Sequence, residues 1–160
     1  MTAIGRLGVG LAPIGGLYEA VSEQQAYATV ERAWELGIRF FDVAPLYGNG
    51  LTERRAGRVL RTKNRDEFVL STKVGRLLRP GGREGQDIWA EDTGLTPVFD
   101  FSAEGVRRSY EESLDRLGLD RVDVLHLHDP DDHWAEASGQ ALPELVRMRS
   151  EGTIRAVSAG

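Results

Sequence analysis

Apolar residues along this chain fall into two alternating rhythms: short unbroken runs, and longer stretches in which they recur every three or four positions. The runs are Leu7 to Leu11, Ile38 to Asp42, Phe68 to Lys73, Val122 to His128 and Ile154 to Ser158. Each has the length of a buried strand. Between the first two, Ser22 and Gln25 stand at capping-box spacing. Ala26, Val30, Ala33 and Trp34 then share one helical face until Gly37 supplies a stop. Thr52 is expected to cap a second helix, with Ala56, Val59 and Leu60 inward, Gly57 at a close packing point, and Asn64 and Arg65 at its end. Ser102 opens a third, whose inner face is Val106, Tyr110, Leu114 and Leu117 and whose stop is Gly118. A fourth centres on Leu142, Leu145, Val146 and Arg149 and ends at Gly152. Residues Gly75 to Phe101, rich in Gly, Pro and Arg and holding Trp89, read as one long irregular stretch, either a substrate wall or lid, or a variable surface excursion.

Strands alternating with helices predict an α/β fold with a parallel sheet and helices outside it. In such a sheet all C-terminal strand ends open on one face. Asp42, Lys73 and His128 end the second, third and fourth runs, and Tyr47 lies in the loop beyond Asp42, so the four are expected to converge. A carboxylate ending a buried strand needs a cation or donors. Lys73 is the candidate: only two of the 20 Lys and Arg residues are lysines, Lys63 and Lys73, so composition favours Arg wherever any cation would serve. An ammonium adjusts its acidity readily where a guanidinium does not.

This set suits proton transfer at an alcohol or carbonyl oxygen. Tyr47 would be the acid/base, Lys73 would favour its phenolate, Asp42 would hold Lys73, and His128 would hydrogen-bond the reacting oxygen. Such chemistry needs a hydride donor but no metal and no nucleophile. His126 and His128 share a strand face and offer an alternative, a metal pair, but no further ligand is placed near them except Asp42, and Lys73 would repel a cation. His126 is therefore read as a core layer below the site. The segment Asp129-Pro130-Asp131-Asp132 reads as a solvated turn, and His133 as an ordinary loop residue.

Composition narrows the class. With 160 residues, 41% of them hydrophobic, the chain can bury one sizeable core. A net charge of -5 and the lack of a basic stripe argue against a nucleic-acid partner. No apolar run approaches the ~20 residues that span a bilayer, and the first residues lack a signal-peptide pattern. Zero cysteine excludes disulfides and thiolate chemistry and fits a cytoplasmic location.

The strings Phe41-Asp42-Val43-Ala44-Pro45-Leu46-Tyr47-Gly48, Ser71-Thr72-Lys73 and Arg116-Leu117-Gly118-Leu119-Asp120-Arg121-Val122-Asp123, running on to His128, resemble the aldo-keto reductase superfamily. That resemblance implies a (β/α)8 TIM barrel and hydride transfer with NADP or NAD. It puts the catalytic tetrad on Asp42, Tyr47, Lys73 and His128, with cofactor contacts on Asp42 and Ser158 and substrate contacts on Tyr47 and His128; Trp89, in the long segment read as a substrate wall, is the further expected substrate contact. The text around Gly15-Gly16-Leu17-Tyr18, His128-Asp129-Pro130-Asp131-Asp132-His133 and Val157-Ser158-Ala159-Gly160 is similar to the aldose 1-dehydrogenase branch, which implies a sugar or polar aldehyde as substrate. Two departures stand out: Asp129 where many members carry Trp, and Ala159 where many carry an Asn that holds the nicotinamide amide. A complete barrel takes roughly 250 residues. Residues 1–160 are thus expected to be the N-terminal portion of one barrel domain, about five strands and four helices, with open sheet edges that invite self-association. The same barrel also serves as a regulatory, nucleotide-binding subunit; that role, and a truncated barrel with no catalysis of its own, are the alternative readings.

Overall fold

The computed structural model describes residues 7–82 and 87–160. Five parallel strands form one sheet: β1 (Val9–Gly10), β2 (Phe40–Asp42), β3 (Val69–Val74), β6 (Val124–Leu127) and β7 (Ala156–Ala159), lying side by side in that order. A separate antiparallel hairpin, β4 (Arg76–Pro80) with β5 (Leu95–Phe99), intervenes between β3 and the next helix. The helices are α1 (Glu23–Glu35), α2 (Leu51–Leu60), α3 (Ala103–Leu117), a short turn α4 (Trp134–Glu136) and α5 (Leu142–Ser150), with one π-helical turn (Ala137–Ala141) between the last two. A doubly wound sheet reverses its strand order part-way along. Here the order never reverses, and each helix packs on the next, α1 on α2, α2 on α3 and α3 on α5. That is the wall of a (β/α)8 barrel, seen over its N-terminal part.

Local chemistry explains most element ends. The Ser22 hydroxyl accepts from the Gln25 amide, while the Gln25 side chain accepts from the Ser22 amide at 3.0 Å, completing the expected capping box. Ser102 caps α3, and Gly118, in the left-handed region at φ 64°, ends it. Strand residues alternate between two environments. Phe41, Leu70 and Leu125 point to the helices and are fully buried with Val30, Leu60, Leu117 and Leu145. Phe41, Phe68 and Trp34 form an aromatic cluster there, with ring centroids 6.0 to 6.5 Å apart.

The structure corrects several expectations. Residues 75–101 are not irregular throughout, because β4 and β5 pair from Arg76↔Phe99 to Pro80↔Leu95. Thr52 does not cap α2. Gly50, at φ 87°, takes that position, and the preceding tight turns supply carbonyls to the first amides, Tyr47 O accepting from Thr52 N and Gly48 O from Leu51 N. Thr52 is buried in the first turn. Asn64 caps a 3-10 turn, Arg65–Glu67, several residues after α2 has ended. In α5 the buried face is Leu145 and Met148 with Glu144, whose ion pairs with Arg107 and Arg147 let it share that face, whereas Val146 and Arg149 face out. The first strand is shorter than predicted and passes into a 3-10 turn, Ala12–Gly15. No helix among the described residues is long and apolar enough to cross a membrane.

Candidate active site

Register decides which side chains meet. Asp42 pairs with Ser71, Lys73 with His126, and His126 with Ser158. Because side chains alternate along a strand, these five belong to the face turned away from the helices, at or near the C-terminal strand ends. The Lys73 ammonium donates to both Asp42 carboxylate oxygens, at 2.8 and 2.6 Å, and to the Val43 carbonyl at 3.2 Å. The Ser71 hydroxyl donates to Asp42 Oδ1 at 2.6 Å. A largely buried ammonium is thus matched by a carboxylate that is itself fixed from two sides, which is what makes a desolvated charge pair tolerable.

Tyr47 stands above this pair. Its position comes from the turns of residues 44–50, where Gly48 is at φ 59° and lies so close to Gly15 that a side chain on either would collide with the other's backbone. Lys73 Nζ is 5.0 Å from the centre of the Tyr47 ring. The His128 ring meets the same ring edge-on at 5.7 Å, and Trp89 flanks it at 6.2 Å. Trp89 is buried and held by a bridge to Leu17, so part of the long segment after β4 is fastened over the site. Ser158 is exposed at the end of β7.

His128 is buried, and that burial, reinforced by the Arg76 guanidinium and opposed by Asp129, pushes its pKa down to about 4. It is therefore a neutral donor at neutral pH. His126 does not sit in a layer beneath the site as expected. It is level with Lys73, its Nε2 3.8 Å from Asp42 Oδ1, and its pKa is also lowered, first by burial and then by Lys73. No group of three or more potential metal ligands exists among the described residues.

Asp129 is not plain solvated turn chemistry. It adopts φ 43°, its amide donates to Gly160 O at 3.2 Å, and its carboxylate ion-pairs with Arg76 at 2.9 Å while lying 3.7 Å from His128 Nε2. His133, expected to be an ordinary loop residue, stacks on Phe99 at 4.2 Å and on Phe101 at 5.6 Å, tying the hairpin to the turn after β6. Two residues of the site escaped the sequence reading. Ser71 was accessible from the two-residue spacing to Lys73. Arg76 had no local signal, since only the hairpin carries it to Asp129.

Asp42, Tyr47, Lys73 and His128 thus lie together at the C-terminal strand ends. The family model described as the aldo/keto reductase family matches residues 6–160. The chain belongs to the aldo/keto reductase family. Among curated members it is 46% identical to D-threo-aldose 1-dehydrogenase of Pseudomonas sp, over 99% of this chain and 50% of that protein. It is 38% identical to pyridoxal 4-dehydrogenase of Microbacterium luteolum, over 96% and 51%, and 37% identical to L-galactose dehydrogenase of Arabidopsis thaliana, over 95% and 43%. The chain thus spans about half the length of the curated aldo/keto reductases it matches. Solved aldo/keto reductase structures agree: glycerol dehydrogenase from Gluconobacter oxydans superposes with a TM-score of 0.76 at 27% identity, over 98% of this chain and 44% of that one. The holo form of an aldo-keto reductase from Bacillus halodurans gives 0.71 at 27% identity, over 98% and 46%.

Proposed function

We propose that this chain carries the proton-transfer centre of an NAD(P)-dependent oxidoreductase that oxidises an aldose at C1, or reduces the corresponding carbonyl, as part of a barrel domain. The observation that carries this reading is the buried Asp42–Lys73 pair beneath Tyr47, with a neutral His128 against the same ring. The 46% identity to a D-threo-aldose 1-dehydrogenase and the polar wall made by Asp129 and Arg76 favour a hydroxylated substrate.

The residues fit a nicotinamide cofactor. Asp42 and Ser158 would hold it, and His126 Nε2, buried without a hydrogen-bond partner on the same face, is a polar atom awaiting one. NAD or NADP, when bound, supplies the hydride acceptor or donor. In oxidation the Tyr47 oxygen, as phenolate, takes the proton from the sugar hydroxyl and becomes a phenol; in reduction the phenol gives that proton to the carbonyl oxygen and becomes the phenolate. The Lys73 ammonium stabilises negative charge developing on that oxygen, and Asp42 and Ser71 keep the ammonium in place. His128 donates to the substrate oxygen and so orients it.

The test is Tyr47→Phe in the full-length protein, assayed with D-threo-aldoses and both cofactors. Turnover should fall by a factor of about 10³, with NAD(P)H binding, followed by nicotinamide fluorescence, unchanged. Retained turnover would remove Tyr47 from the reaction. Normal turnover on simple aldehydes but none on any sugar would keep the chemistry and reject the substrate class.

A further inference from the structure

On the helical side of the sheet, away from the strand-end site, α1, α2 and the end of α3 enclose an open cavity of about 360 Å3. Five guanidiniums line it. Two of them are committed: Arg55 to Glu23, Glu91 and the Ile14 carbonyl, and Arg116 to the fully buried Glu53. The other three are Arg54, Arg58 and Arg61. They recur at spacings of four and three residues and so stand along one face of α2 and its last turn. Among the described residues none of these three guanidiniums has a hydrogen bond or an ion pair.

Most of the other described arginines are paired with carboxylates. Arg32, Arg65, Arg76, Arg79, Arg107 and Arg121 each hold a carboxylate. Like charges at helical spacing cost a few tenths of a kcal/mol per pair. A chain with net charge -5 has no general need to concentrate positive charge in one groove. Partial desolvation and the neighbouring Arg116 already press on the Arg54 charge, lowering its pKa, although the side chain reaches solvent. A multivalent anion would relieve that repulsion, and three planar forks suit the oxygens of a phosphate. The ligand must be compact. The cavity is at the small end of ligand pockets, and the α3 wall carries Asp115, which repels an extended polyanion.

We propose that this groove binds a small phosphorylated ligand through Arg54, Arg58 and Arg61. The residues gathered at the strand ends play no part in it, and none of them lines the cavity.

The direct test is titration of the protein with inorganic pyrophosphate at about 150 mM salt, where non-specific surface attraction is largely screened. Calorimetry is read alongside the arginine Nε–H resonances. Saturable binding of one equivalent is expected, with shifts at Arg54, Arg58 and Arg61 and none at Arg76. The double variant R54Q/R58Q, both exposed positions, should keep the melting temperature and weaken binding by at least about ten-fold. Arg149→Gln, another exposed arginine, should leave it unchanged. Absence of saturable binding, retention of binding in the double variant, or an equal loss in R149Q would each overturn the assignment.

Discussion

Acidification should loosen this protein through its buried imidazoles, His128 foremost. Burial, aided by Arg76, holds His128 near pKa 4 in the folded chain, against 6.5 for an ordinary imidazole. Between those two values the unfolded chain binds the proton and the folded chain does not. Stability therefore rises with pH across that window: the contribution is fully present above about 6.5 and is lost as pH falls towards 4. At about 1.4 kcal/mol per pH unit, the 2.5-unit gap corresponds to about 3 kcal/mol. That is a large share of the 5 to 15 kcal/mol typical of a domain. The chain has three histidines, so their Cε1–H resonances can be assigned by single substitutions and titrated individually. His128 should titrate well below 6.5, and Arg76→Met, which removes the cation that opposes its protonation most, should move it upward. Urea midpoints of His128→Gln should depend less on pH between 6.5 and 4 than those of the parent, since other titrating groups cancel in the comparison. A His128 midpoint near 6.5, or parallel pH profiles for parent and variant, would refute the reasoning.

Other perturbations test the frame around the site. Gly57→Ala should destabilise by about 2 kcal/mol or more in urea unfolding, because an added Cβ would run into the Leu117 backbone, its carbonyl oxygen first and its carbonyl carbon at 2.6 Å. Glu53→Gln leaves Arg116 buried without its carboxylate and weakens the tie to Thr72 Oγ1, so about 3 kcal/mol should be lost, read as a lowered urea midpoint. Ser22→Ala removes the capping box of α1 and should cost about 1 kcal/mol, visible as earlier thermal unfolding by circular dichroism.

What could be read from the sequence was what neighbouring residues decide. The cap at Ser22, the stop at Gly118 and the abrupt end of an aromatic strand on Asp42 are local events, and each appears where the residues suggest. The Asp42–Lys73 pair followed because parallel strands bring their C-terminal ends together whatever their separation in sequence. The hairpin was hidden because Pro80 and Pro97 and the arginines of β4 blur the alternation, and the pairing is set by a partner about twenty residues away. Asp129 seemed a turn residue because Arg76, which holds it, arrives only through that hairpin. The arginine groove was equally hidden: the spacing in α2 exposes Arg54 and Arg58, but the opposite wall belongs to α3.

The unreversed strand order also has a consequence for assembly. Each strand docks beside the one just before it in the sheet, and each helix covers its predecessor. Most contacts therefore span one structural unit, and such a chain can consolidate from its beginning as it is synthesised. The charged pair forms when the third strand meets the second, and His128 arrives with the next strand of the sheet. On this order the buried ammonium acquires its counter-ion before His126 and His128 arrive beside it, so the step that would be hardest to take alone is taken while water can still reach it.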